Sequence, residues 1–510
     1  MTDRITPSEE SFDPRSPEEW AAFRTLSHRM VEEMVTRLES IAEEPTWREM
    51  PEQVRQALSA PVPRLGVGAE AAYAAFTENV LPYPIGNWHP RFFGWVMGQG
   101  TPFGMMADML ASGMNPNVGG FNDSPALVER QVVDWCGSML GFEGAGGLLV
   151  TGGTMANTLG LAVGRFAKAR ELGRDVRANG VQAWPGEPIP APMVCYGSAE
   201  THSWIRKATE WLGLGQRAFR AVPVDAEYRM DVAALEAMIV ADRASGLVPF
   251  CVLGTAGTVN TGATDDLTAL ADICAREKLW FHVDGAFGAL AYLSETLRPA
   301  LRGLERADSL GFDMHKWGAM PYACACALIR DPLVHQDAFR ATAAYLTPMT
   351  RGPIMGSLHF NDRGLDLSRG FKALSVWMSL KADGVDKLTR IVEQNVAQAR
   401  YLAQRIDEHP ELERLAPVPL NLVNYRFIAP EADEAELDGI NRELLLRLQE
   451  RGIAVPSSTT IRGHFAIRVA NVNHRARTAD FDVLVDAVVR LGREIVAERA
   501  TLPAAHASLM

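Results

Sequence analysis

Asp308-Ser309-Leu310-Gly311-Phe312-Asp313-Met314-His315-Lys316-Trp317 runs from a short apolar segment straight into a His-Lys pair. A lysine in such a place is usually only a solvated one. Its weight comes from Trp280-Phe281-His282-Val283-Asp284-Gly285-Ala286, whose aspartate lies 32 residues upstream of Lys316. There an acid closes an apolar strand, and small residues follow that permit close approach. Further upstream, Thr151-Gly152-Gly153-Thr154-Met155-Ala156-Asn157 links a strand to a helix. Such a junction offers backbone N–H groups and the positive end of a helix to an anion. Ser198-Ala199-Glu200-Thr201-His202-Ser203 places an imidazole after yet another strand.

Working outward, short apolar runs alternate with helical stretches from about Pro90 to Asp331. The expected strands are Gly147–Val150, Pro192–Tyr196, Pro249–Gly254, Trp280–Val283, Asp308–Leu310 and Ala325–Ile329. Helices are expected at Ala156–Leu172, Trp204–Leu212, Asp231–Ala244 and Asp266–Glu277. Strands buried on both faces and alternating with helices make α/β units around a mostly parallel sheet. Ligands of such sheets sit beyond the strand C-termini, where the four segments above fall.

Ahead of this region, Ser16 can cap a helix running from Pro17 to about Glu44, with Glu19 placed for a capping box. A second helix is expected near Ala69–Val80. Neither can form a core alone, so residues 1–88 read as an arm that packs on something else. Residues 89–370 read as the large domain and 371–510 as a small α+β domain. The latter combines a long helix from Phe371, strands at Leu420–Ile428 and Phe465–Val469, and helices at Glu434–Arg451 and Ala479–Arg499.

The chain has 510 residues, enough for about three domains. Its formal charge of −12 and lack of a basic stripe speak against a nucleic-acid partner. No apolar run is long enough to span a membrane, and the acidic N-terminus carries no apolar signal segment. Six cysteines without paired or zinc-type spacing read as buried reduced thiols of a cytoplasmic protein, with no metal expected.

Lysine, aspartate, helix N-terminus and imidazole together are the parts that pyridoxal 5'-phosphate requires. The lysine amine forms a Schiff base, a carboxylate keeps the pyridine nitrogen protonated, a helix end holds the phosphate and a flat side chain stacks on the ring. Taken singly, Asp284 is equally a strand-end cap and His202 a surface histidine.

These motifs resemble those of the group II pyridoxal-phosphate-dependent amino-acid decarboxylases. The resemblance runs from His89 (HPRFFGW, then ADML and DSPALVERQVVDW) to the C-terminal helix. It implies fold type I, with a mostly parallel seven-stranded sheet, and an N-terminal arm wrapping the partner of a homodimer with shared active sites. It implies Lys316 as the Schiff-base lysine, Asp284 as the pyridine partner and His202 as the stacking ring. Ala286 matches the small residue under the ring; Gly153, Thr154, Asp313 and His315 match other cofactor-side positions. Arg468 matches an arginine near the substrate carboxylate, though a strand arginine of no special role reads the same way.

Phe92, Val96 and Gly98, with Phe121, match segments that line the substrate pocket. Trp95, Phe92 and Phe121 suit an apolar or aromatic side chain, which favours an aromatic L-amino acid, decarboxylated to the amine and carbon dioxide. Phe360 falls where many relatives carry a proton-donating tyrosine on a loop, and phenylalanine cannot donate. Tyr345 and His359 are nearby alternatives, and His359 or water is the expected donor. In plant relatives that replacement accompanies oxygen-dependent aldehyde formation, so this reaction remains the alternative, together with a carbon–carbon lyase. A fold that keeps its cofactor site but acts only through its dimer surface is the reading from another class.

Overall fold

The computed structural model describes residues 10–340, 350–353 and 359–501. Seven strands form the central sheet: β1 (Gly146–Val150), β2 (Met193–Ser198), β3 (Phe219–Val222), β4 (Val248–Thr255), β5 (Trp280–Asp284), β6 (Ser309–Asp313) and β7 (Ala325–Ile329). Their order is β1-β7-β6-β5-β4-β2-β3, and β7 alone runs against its neighbours. This is the mostly parallel α/β sheet expected from the alternating pattern. β1, β2, β6 and β7 are buried along their whole length, as strands covered by helices on both faces should be.

β3 escapes the sequence reading. It is an edge strand, half exposed and carrying Arg220, so it lacks the apolar run that marks its neighbours. The helix after β1 starts at Gly153, three residues before the expected Ala156. No side chain caps it, so no capping residue announces its start, and Gly153 and Thr154 lie inside its first turn. Helices Pro102–Met114 and Ser124–Leu140 also went unpredicted, although Thr101 and Asp123 cap them by accepting from Gly104 and Ala126 N–H.

A second sheet holds β8 (Leu412–Arg414), β9 (Leu422–Phe427), β10 (Ser457–Ile461) and β11 (His464–Ala470), antiparallel in the order β10-β11-β9-β8. Helices Glu434–Glu450 and Thr478–Thr501 pack with it around Tyr425, Phe427, Ile467 and Leu484. The helix Ala373–Asp407, broken at Gly384, contributes to both cores.

Helix Pro17–Ser40 begins where expected, with Ser16 accepting from Glu19 N–H. Glu19 accepts from Arg15 N–H rather than closing a box on Ser16. On this arm Trp20, Phe23 and Met30 remain 45%, 50% and 44% exposed, so this chain does not cover that face. No helix among the described residues is long and apolar enough to cross a membrane.

Candidate active site

The strand ends converge on a cavity of about 470 Å³. It is walled by Gly153 and Thr154 at the first helix turn, by Glu200 and His202 after β2, and by Asp284 and Ala286 at β5. Asp313, His315 and Lys316 close it from β6. The parallel register explains the convergence: Thr255 pairs with Asp284, and Asp284 with Gly311, so residues one motif apart end at one level.

Polar groups beneath the cavity lock the motifs together. Trp280 Nε1 donates to Ser309 Oγ at 2.8 Å, and Ser309 Oγ lies 2.8 Å from His282 Nδ1. The other ring nitrogen, His282 Nε2, is 3.0 Å from Asn157 Oδ1. The indole can only donate and the amide oxygen can only accept. The serine hydroxyl must then donate to Nδ1, leaving the proton on Nε2. Burial holds this imidazole neutral, its pKa lowered to about 4.

The charged groups are equally constrained. Lys316 Nζ reaches Asp313 Oδ2 at 2.8 Å. Asp284 Oδ1 accepts from Ala286 N–H at 3.0 Å, and Oδ2 from Trp204 Nε1 at 2.6 Å. His202 opens onto the cavity with Nδ1 accepting from Trp204 N–H at 3.2 Å. Enclosure by the walls lowers the His202 pKa, while nearby Asp284 pulls the other way. His315 is likewise lowered by burial, and its Nδ1 faces Cys324 N–H at 3.1 Å.

Trp95 and Val96, at φ 52° and 56°, carry strained left-handed backbone into the cavity wall. Such conformations cost about 1–3 kcal/mol each and persist where surrounding structure enforces them. Val96 lines the cavity, but other residues expected at the substrate do not. Phe92 is 1% exposed, and its backbone bridges to Val455. Gly98 packs on the lysine loop, where a Cβ would come 1.8 Å from the His315 carbonyl oxygen. Phe121 lies outside the wall, next to a loop bonded to Pro353.

Phe360 is buried beneath the Arg369 guanidinium, 5.1 Å from its ring, so this chain does not bring it to its own cavity. His359 is partly buried away from the wall. Tyr345 lies outside the described residues. Arg468 is 3% exposed, donating to Ser457 Oγ at 3.0 Å and to the Val259 carbonyl, and does not line the cavity. Burial lowers its pKa to about 10.

Conversely, Glu200, Trp204 and Tyr322 line the wall without having been assigned a role. Glu200 and Trp204 flank His202 at two residues' distance, the one available signal. Their reach across strands leaves none.

The site residues fit pyridoxal phosphate. A Cβ on Gly153 would stand 2.8 Å from Asp313 Oδ2 and 2.9 Å from the Ala286 methyl, so the helix end is kept bare. Asp313 Oδ1 and Asn157 Nδ2 are buried at the same wall without partners. Residues 51–428 match the model of the pyridoxal-dependent decarboxylase conserved domain. The chain belongs to the pyridoxal-dependent decarboxylase family. It is therefore a pyridoxal-phosphate enzyme of amino-acid decarboxylation, as its motifs led one to expect.

Among its relatives, the aromatic-L-amino-acid decarboxylase of Bacillus atrophaeus is 31% identical over 477 residues, covering 92% of this chain and 96% of that one. A cysteine sulfinic acid decarboxylase of Mus musculus is 30% identical over 387 residues, covering 75% and 76%. Among solved structures, Oryza sativa TDC with PLP and tryptamine superimposes with a TM-score of 0.85 at 25% identity, covering 95% of this chain and all of that one.

Proposed function

We propose that this decarboxylase acts on L-amino acids with uncharged side chains, aromatic ones preferred, and releases the amine and carbon dioxide. The carrying observation is the charge of the cavity wall. Among the described residues lining it, Lys316 is the single lysine, and no arginine is present. Glu200 stands there as a carboxylate, with Trp95, Phe287 and Tyr322 as aromatic surface. An acidic side chain would meet repulsion without a cation to hold it. The name of the Bacillus atrophaeus relative agrees with this preference.

Pyridoxal phosphate, when bound, supplies the sink for the electron pair left on Cα as the bond to the carboxylate breaks. Lys316 supports the reading as the amine that holds the cofactor and yields to the substrate amine. Asp284 would serve as the counter-charge to the ring nitrogen, and His202 would stack on the ring. Gly153, Thr154 and His315 would hold the phosphate at the helix end. Arg468, buried with two of its N–H groups held by Ser457 and the Val259 carbonyl and its Nε free, is the candidate for a substrate carboxylate that comes within its reach. One proton must return to Cα after carbon dioxide leaves, from His359 or water.

The reading extends to a homodimer. The uncovered apolar face of residues 1–88 supports it, as do Met109, Leu110 and Met114 on a helix of the 89–370 domain, 47%, 47% and 57% exposed. Residues 371–510 would then cap each site. Six buried free cysteines suit a reducing cytoplasm.

The test is a panel of L-amino acids, with carbon dioxide, oxygen uptake and product recorded together. Carbon dioxide with amine and no oxygen uptake, fastest for tyrosine, tryptophan or phenylalanine, is expected. Faster turnover of glutamate, aspartate or cysteine sulfinate would overturn the substrate reading. Aldehyde formed with oxygen uptake would replace the reaction itself.

A further inference from the structure

We propose that Trp204 is a positioning residue that sets the Asp284 carboxylate against the ring nitrogen of the bound cofactor. The inference rests on the assignment of Asp284 made above. Trp204 Nε1 donates to Asp284 Oδ2 at 2.6 Å, with the indole 2% and the carboxylate 5% exposed. The other oxygen is occupied by Ala286 N–H at 3.0 Å. Both oxygens are thus tied, and the carboxylate plane is fixed from two directions.

Both partners are donors only, since neither an indole nor a backbone amide can accept. A carboxylate offers about four acceptor sites, so two donors leave some of them open. A ring nitrogen can use an open site only by donating, that is, as a protonated pyridinium. A carboxylate held by two donors is set to accept a further bond from a protonated ring nitrogen, the state in which the ring is an electron sink.

Trp204 is itself held. It is the first residue of helix Trp204–Trp211, its ring stands edge-on to His282 at 5.9 Å, and its backbone N–H bonds His202 Nδ1 at 3.2 Å. One residue thus links the stacking imidazole to the carboxylate under the ring nitrogen. A Trp204→Phe change keeps a buried aromatic ring but removes the N–H together with part of the indole, so the Asp284→Ala background is needed to separate the lost bond from the lost volume.

The experiment titrates cofactor-free protein with pyridoxal phosphate and reads the visible absorption, with no substrate present. Four proteins are compared: wild type, Trp204→Phe, Asp284→Ala and the double variant. Trp204→Phe is expected to weaken cofactor binding about fivefold or more, the worth of a buried hydrogen bond to a charge. In the Asp284→Ala background the same change should cost less than about twofold, because its route is gone. Equal cost in both backgrounds, or no cost in the wild type, overturns the proposal.

If Trp204→Phe does not fold, the indole N–H spectrum of the wild type is compared with that of Asp284→Ala. One far-shifted indole resonance must move; a spectrum in which none moves overturns the proposal. A wild type that binds cofactor yet turns over no amino acid would sink the functional reading while leaving this test intact.

Discussion

Lys316 Nζ and Asp313 Oδ2 stand 2.8 Å apart, and the acid is much the more buried of the two, 1% exposed against 26%. A buried carboxylate without its cation is costly. Lys316→Ala should therefore do two separable things. Turnover and the visible absorption that survives dialysis should vanish, and stability should fall by about 1–3 kcal/mol. Adding Asp313→Asn should restore most of the stability and none of the activity. Thermal unfolding and absorption after dialysis check the pair; a single variant as stable as wild type would show that the carboxylate does not depend on the lysine.

Glu200, on the cavity wall, is expected to influence which side chains enter. Its Oε2 accepts from Asn260 Nδ2 at 2.9 Å, and Asn260 Oδ1 in turn accepts from Thr459 Oγ1 at 3.1 Å, so the carboxylate is anchored to β10 of the second sheet. Glu200→Gln keeps the size and removes the charge. Selectivity for aromatic over acidic amino acids, as the ratio of kcat/KM values, should fall about tenfold. An unchanged ratio would remove Glu200 from the specificity of the site.

The neutral His282 makes stability depend on pH. Its folded pKa of about 4 lies below its ordinary value of 6.5, so between the two the unfolded chain binds a proton that the folded chain refuses. Stability is present at neutral pH and is lost as the pH falls through that window. Between pH 7 and 5 the wild type should lose about 2 kcal/mol more than His282→Gln, by the linkage relation. Urea unfolding at both pH values measures it; parallel losses would mean that the ring is charged in the folded protein.

Removing the arm tests the dimer. Deletion of the residues before Pro61 should uncover apolar surface and, if each site is completed by a partner chain, lower activity more than about tenfold. Sedimentation and activity measured at the same protein concentration decide. A soluble, fully active truncation would refute an arm shared between subunits.

Much of this was legible in the chain because parallel strands put their C-termini at one edge. Asp284 ends β5, and Lys316, His202 and Gly153 each follow a strand by a few residues, so order along the sequence became proximity in space. Trp204 illustrates what was not legible. Its bond to Asp284 spans 80 positions: the helix that begins at Trp204 was expected, but nothing in the sequence says that its first side chain reaches across to the end of β5. Arg468 shows the converse, a residue matched by motif whose guanidinium is already engaged by Ser457 and Val259. β3 failed for composition, since an edge strand needs only one apolar face.

The loop between β6 and β7 sits in a narrow hairpin frame. Asp313 pairs with Ala325, Met314 and His315 N–H both donate to the Cys324 carbonyl at 3.0 Å, and Met320 N–H closes on Met314 at 3.0 Å. A lysine on such a frame cannot be carried aside by its backbone when an incoming amine takes its place. All the travel must come from four methylene groups, turning about single bonds within the open part of the cavity. An amine of Lys316 released from a bound cofactor would thus stay within a side chain's length of it, available for recapture.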